Sequence, residues 1–212
     1  MALQTWWLYA TAVFLISATP GPNMLHVMAR SVEVGARRSL IAMAGLMSAV
    51  LLCLLASVAG LGALLKAMPH LFDALRIAGA AYLLYLGYRA WTSPVAASGV
   101  TPDMPAMPRM RAMSALALYR AGLLTGLSNP KLIIFAAAFF PQFIDPRAAF
   151  APQLAILLVT FAAIEGFWYG VYALGGLRLA RWLGPAHRQR LFNRATGGLF
   201  MLFGGLLMAR SA

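Results

Sequence analysis

The chain has 212 residues, of which 62% are hydrophobic and 10% charged, and its mean hydropathy is +0.78. A soluble domain carries roughly a quarter charged residues, so the composition excludes an ordinary soluble protein and points to one embedded in a lipid bilayer. The formal charge of +12 resides in arginines at the ends of apolar segments, as topology determinants do, and does not point to nucleic acid.

A membrane-spanning helix needs roughly 20 mostly apolar residues, and six stretches qualify: 5–29, 39–65, 70–91, 115–141, 150–177 and 193–210. The first lacks the basic start of a signal peptide. It runs into Pro20-Gly21-Pro22-Asn23 and reads as a retained first helix. The second holds the single cysteine, Cys53, which excludes an intrachain disulfide and a multi-thiolate metal site. The third carries Gly79 and Gly87. After it, residues 92–114 hold Pro94, Pro102, Pro105 and Pro108, a linker composition. The fourth stretch is interrupted by Asn129-Pro130-Lys131. The fifth continues past Gly175-Gly176 as an arginine-bearing segment to Leu183, read as an interfacial extension. The sixth carries Gly197, Gly198, Gly204 and Gly205. Small residues let membrane helices approach closely. These glycines serve packing within the protomer or, alternatively, a homodimer interface.

The expected fold is therefore an all-α integral membrane protein of six transmembrane helices. Residues 1–91 form a first three-helix repeat, 92–114 a cytoplasmic linker and 115–212 a second three-helix repeat. Three is odd, so the second repeat enters the membrane inverted, a recurrent transporter architecture. Positive charge sets orientation. The odd connections carry Arg30, Arg37 and Arg38; Arg89, Arg109, Arg111 and Arg120; and Arg178, Arg181, Arg188, Arg190 and Arg194. The opposite side has only Lys66, Arg76, Arg147 and Arg210, partly offset by Asp73 and Asp145. The odd connections are expected in the cytoplasm and both termini outside, across a bacterial inner membrane.

The two polar breaks carry the functional reading. Proline removes a backbone donor and disrupts the helix ladder. In hydrocarbon, the freed groups are tolerated only where protein or a water-filled cavity satisfies them. Broken helices in corresponding halves point to a transport site near the bilayer midplane. At the first break, Pro20 and Pro22 cannot donate, Gly21 admits a close approach and Asn23 offers acceptor and donors. Ser17, Thr19 and His26 lie within about a turn. A half-helix beginning near Asn23 presents amides and a positive dipole end to a carboxylate. A plain proline kink capped by Asn23 is the competing reading.

At the second break, Lys131 is the only lysine or arginine well inside a predicted span. Such a residue costs about 2.5–3.5 kcal/mol on insertion scales. A carboxylate-binding or gating role accounts for that cost; a snorkelling side chain or structural ion pair also would. Glu165, near the middle of the fifth stretch, is either a proton carrier or the mate of Lys131. His26 titrates near neutral pH in its unperturbed form and is a second proton-coupling candidate beside a structural reading. Glu33, Asp73, Asp103 and Asp145 lie in connections or at segment ends and read as solvated, Asp145-Pro146 as a turn. Trp6, Trp7, Trp91 and Tyr9 read as an interfacial aromatic belt. Trp168, Tyr169 and Tyr172 are placed to line a cavity wall or to pack.

No Walker-type loop, HExxH or CxxC occurs, and no nucleophile–base–orienter set is evident. No enzymatic activity, cofactor or metal is expected.

Several segments resemble the lysine-exporter (LysE) superfamily in its homoserine/threonine-exporter branch. Ser17-Ala18-Thr19-Pro20-Gly21-Pro22-Asn23, Ser31 and Gly35-Ala36-Arg37-Arg38 resemble its N-terminal signature. Residues 79–87, Gly-Ala-Ala-Tyr-Leu-Leu-Tyr-Leu-Gly, resemble its third helix. Gly122 to Lys131, with Phe135 and Phe139-Phe140-Pro141-Gln142-Phe143, resemble its fourth. The resemblance implies a proton-motive-force-driven inner-membrane exporter of amino acids or close derivatives. It carries over to Pro20, Gly21, Pro22, Asn23, Asn129, Pro130 and Lys131 as substrate-binding residues; Glu165 and His26 come from burial and titration arguments. The expected partners are an amino acid of the homoserine, threonine or lysine kind, a proton and the bilayer. A passive small-solute channel and a non-transport membrane scaffold are the alternatives.

Overall fold

Long apolar runs form helices here, and proline and glycine decide where they stop. A computed structural model describes residues 1–67, 69–93, 113–145, 148–183 and 185–209. Their regular structure is entirely helical: α1 (Leu3–Ala18), α2 (Pro22–Val34), α3 (Ala36–Ala67), α4 (Pro69–Thr92), α5 (Ala115–Leu127), α6 (Pro130–Ile134), α7 (Phe150–Leu183) and α8 (Ala186–Ala209). A π-helical segment, Phe135–Phe139, and a 3-10 turn, Phe140–Phe143, follow α6. Pro22 and Pro130 sit in the first turns of α2 and α6, where a missing N–H disrupts nothing. Gly35 separates α2 from α3 at φ +81°, a conformation that favours glycine. Ser114 caps α5, its Oγ accepting from the Ala117 amide at 3.2 Å.

Among the described residues, two helices are long and apolar enough to cross a membrane by themselves, over Ala36–Gly60 and Phe150–Gly175. The pair Ala115–Leu127 and Pro130–Phe143, bent by 55°, makes a third if it is one span. The sequence reading expects six. The difference has physical sources: the first break divides its stretch into pieces of 16 and 13 residues, and α8 opens with His187, Arg188, Arg190 and Arg194. The linker residues 94–112, and the side chains of Lys66, Asp73, Arg76, Arg147, Arg178, Arg181 and Arg210, lie outside the described residues.

The most extensive helix contacts join the halves of the chain: α4 packs on α8, and α3 on α5. Glycine sets both distances. A Cβ at Gly87 would meet the Gly197 carbonyl at 2.7 Å, and one at Gly197 would meet the Gly87 carbonyl at 2.6 Å. Between α3 and α5, Gly45 lies against the Tyr119 carbonyl and Gly122 against the Ala42 carbonyl, each too close for a side chain. Gly204 packs on Ala80 and Leu84, whereas Gly205 faces open space.

Two apolar clusters flank the breaks. The larger includes Tyr9, Phe135, Phe139, Phe140, Phe143, Phe161 and Phe203; the smaller joins Met24, Val27, Met43, Leu46, Tyr169 and Tyr172. Tyr9 corrects the aromatic-belt expectation. It is fully buried, its ring lies 5.0 Å from that of Phe143 and its hydroxyl donates to the Leu157 carbonyl at 3.1 Å. Its position in mid-helix faces the core, whereas Trp7 and Trp91 are exposed as expected. Buried Gln153 accepts from the Asp145 amide and donates to the carbonyls of Asp145, Ala148 and Ala149, tying the start of α7 to the preceding connection.

Candidate functional site

The breaks lie 106 residues apart in sequence and touch. Asn129 Nδ2 donates to Asn23 Oδ1 at 2.8 Å, and both asparagines are buried. A buried side-chain amide needs most of its hydrogen-bonding capacity filled. Asn129 also uses its Oδ1 to accept the Lys131 amide at 3.1 Å, so it caps α6 while reaching across to the first break. Asn23 Nδ2 lies 3.4 Å from the Tyr169 hydroxyl, a long hydrogen bond to α7.

Around this pair is a cavity lined by Ser17, Gly21, Asn23, Asn129, Lys131 and Glu165 on its polar side and by Ile16, Met24, Leu132, Phe135 and Phe161 on its apolar side. It leaves about 30 Å³ for the centres of water-sized molecules, room for roughly two waters at about 10–15 Å³ each. Lodging an amino acid requires the walls to move.

Lys131 is held by backbone. Its Nζ donates to the Ile16 carbonyl at 2.6 Å and the Thr19 carbonyl at 3.1 Å. These are carbonyls of the last turn and C-cap of α1, which Pro20 ends; the Ile16 carbonyl accepts the Thr19 amide at 3.2 Å as well, with its second lone pair left for Lys131. The negative pole of the helix favours a cation there. Glu165, only 6% exposed, accepts from Ser17 Oγ at 2.6 Å. Among the described residues, no N···O approach within 4.0 Å joins Lys131 to Glu165; the ion pair present is Arg30–Glu33. Lys131 and Glu165 share a cavity without touching.

Of the residues read from sequence, Gly21, Asn23, Asn129, Lys131 and Glu165 line this cavity, while Pro20, Pro22 and Pro130 shape it through the backbone. Gly21 differs from expectation. Its backbone is extended (φ −145°, ψ −178°), and a Cβ there would meet its nearest neighbour, Lys131 Cδ, at an ordinary 3.7 Å. His26 lies outside the lining, its Nδ1 3.1 Å from Thr125 Oγ1 and its buried Nε2 without a hydrogen-bond partner among the described residues. Tyr172 donates to the Ala18 carbonyl at 2.9 Å. Sequence reasoning missed Phe161 as a wall and Ser57, whose hydroxyl donates to the Ala136 carbonyl in the π-helical segment. A π-helical segment gives no signal in an apolar run.

An all-helical chain with long apolar helices, and two broken ones meeting at a small mixed cavity, belongs to the class of multi-pass membrane proteins. The model of the LysE type translocator family matches residues 14–211, and the chain belongs to that family. It is 33% identical over 207 residues to the homoserine/homoserine lactone efflux protein of Salmonella typhimurium, covering 98% of this chain and 97% of that one. It is 30% identical over 204 residues to the leucine efflux protein of Salmonella choleraesuis, covering 95% and 93%. It is 34% identical over 214 residues to an uncharacterised membrane protein of Pseudomonas aeruginosa, covering 97% and 94%. No solved structure matches the chain. The chain is a multi-pass membrane protein of a translocator family.

Proposed function

We propose that the protein is a proton-driven exporter of amino acids or close derivatives, working by alternating access at the cavity between the two breaks. The observation that carries the reading is the Asn23–Asn129 hydrogen bond. It brings the two interrupted helices to one buried site that also holds a lysine and a glutamate. A scaffold has little reason to bear that burial. The relatives' names, homoserine, homoserine lactone and leucine efflux, favour a substrate of that kind.

The substrate carboxylate meets Lys131 and the first-turn amides of α2 and α6. The ammonium meets Glu165 or the carbonyls of the first break. Pro20, Gly21, Pro22 and Pro130 shape the backbone that offers these groups. Glu165 carries the coupling proton; His26, one turn from Asn23, is the second candidate. The six-span, two-repeat arrangement is part of the proposal, with repeats at 1–91 and 115–212 joined by a cytoplasmic linker at 92–114. Its support is the contact pattern. Exchanging α1/α2 with α5/α6, α3 with α7 and α4 with α8 maps the α4–α8 packing onto itself, and α3–α5 onto the less extensive α7–α1 contact. The arginine distribution supports a bacterial inner-membrane location with both termini outside.

The test is flux through purified protein in proteoliposomes, using labelled amino acids and an imposed proton gradient. Saturable, gradient-dependent movement is expected, and Glu165→Gln is expected to retain exchange while losing the gradient dependence. Non-saturating flux indifferent to the gradient would establish a passive channel instead.

A further inference from the structure

We infer that the Ile16 and Thr19 carbonyls form the ammonium subsite of the transport site, and that Lys131 is its resident occupant, displaced when a zwitterion binds. The inference rests on the transport reading above and adds a location and a selection rule to it.

A break in a helix exposes two opposite poles. The end of α1 offers carbonyl oxygens and a negative dipole end; the start of α2 offers amides and a positive one. Only Pro20 and Gly21 separate the C-cap of α1, Thr19, from Pro22 at the start of α2. Among the described residues, the Asn23 and Met24 amides have no backbone acceptor outside the helix, where the chain's first α2 bond is Leu25 N to Gly21 O at 2.9 Å. The ammonium nitrogen and carboxylate carbon of an α-amino acid are about 2.5 Å apart. The break therefore offers both poles to one small molecule.

The negative pole is taken. Lys131 Nζ makes the two carbonyl contacts that a substrate ammonium would make, at 2.6 and 3.1 Å, in a cavity with room for roughly two waters. A ligand that displaces Lys131 must replace the cation on the carbonyls and give the lysine a new partner. An amine without a carboxylate does the first and brings Lys131 no new anion, leaving it only Glu165, which Ser17 already engages. A carboxylate without an amine cannot release the lysine. A zwitterion does both: its ammonium takes the carbonyls, and its carboxylate takes Lys131. The lysine thus acts as a plug that opens to molecules carrying both charges.

The test uses thermal unfolding of the purified full chain in detergent. Lys131→Ala removes a side-chain fragment equivalent to n-propylammonium, and Lys131→Met keeps the stem and vacates the place of the ammonium. n-Propylammonium chloride is expected to raise the Tm of Lys131→Ala by at least about 2 °C over equimolar sodium chloride, ammonium chloride to do the same for Lys131→Met, and neither to move the wild type. A variant that accumulates only with its amine present also supports the subsite. No stabilisation of either variant above sodium chloride, including failure of both to fold with the amine present, overturns it, as does equal stabilisation of the wild type. Wild-type protein that exports no amino acid would sink the transport reading, while the amine response of the variants would still report on the carbonyl pair.

Discussion

The two breaks look alike in sequence and are satisfied in opposite ways. The second is self-contained: Asn129 caps α6 with its own side chain, and the α5 helix leading to it is locked against α3 through Gly45 and Gly122. The first has no side-chain cap at Gly21; Thr19 and Tyr172 satisfy the Leu15 and Ala18 carbonyls before it, and Lys131, a group from the second break, holds the Thr19 carbonyl and shares that of Ile16 with the Thr19 amide. One break is a fixed platform and the other depends on a removable partner. A transport site needs both, a rigid reference and a set of groups that become available when something moves.

Substitutions sharpen that contrast. The largest effect is expected on the fixed side. Gly122→Val drives a branched side chain into the Ala42 backbone, and overpacking of this kind costs about 1–3 kcal/mol or more; size-exclusion profiles and Tm are expected to show loss of folded protein. Next is Lys131→Ala. Hydrogen bonds to charged groups contribute about 1.5–3 kcal/mol, so export in proteoliposomes is expected to fall roughly 10- to 100-fold. A folded Lys131→Ala protein exporting at the wild-type rate contradicts the assignment. Asn129→Ala removes a helix cap worth about 0.5–2 kcal/mol and the tether to Asn23, so a moderate loss of Tm and a weaker apparent affinity are expected together. The smallest effect belongs to Gly21→Ala. The extended backbone and the 3.7 Å to Lys131 Cδ accommodate a methyl, and Tm is expected to change little; a large drop would show that the first break is as rigid as the second.

Much of this was legible in the chain. Pro20 marks where α1 ends, and Pro22 and Pro130 fix where helices restart, because proline cannot donate and is best tolerated in a first turn. Asn23, Asn129, Lys131 and Glu165 stood out because polar and charged groups inside apolar runs need partners. Their actual partners were less legible. Lys131 chose carbonyls of α1 over Glu165, a contact between residues 115 positions apart that no local pattern encodes. Gly45 and Gly122 carry no mark distinguishing them from Gly205, which faces open space. Tyr9 reads as an interfacial residue by composition, yet its face of α1 turns toward Phe143 and Leu157.

The central claim is that both breaks belong to one substrate site. Thiol protection tests it directly. In a Cys53→Ser background, the single free cysteine is gone, and Gly21→Cys, Leu132→Cys and Leu124→Cys can be introduced one at a time. The first two positions line the cavity from different breaks; Leu124 is 63% exposed on α5. The exported amino acid is expected to slow modification by a small thiol reagent at positions 21 and 132 over the same concentration range, and to leave position 124 unchanged. Protection at one break alone, or at neither, would contradict a shared site.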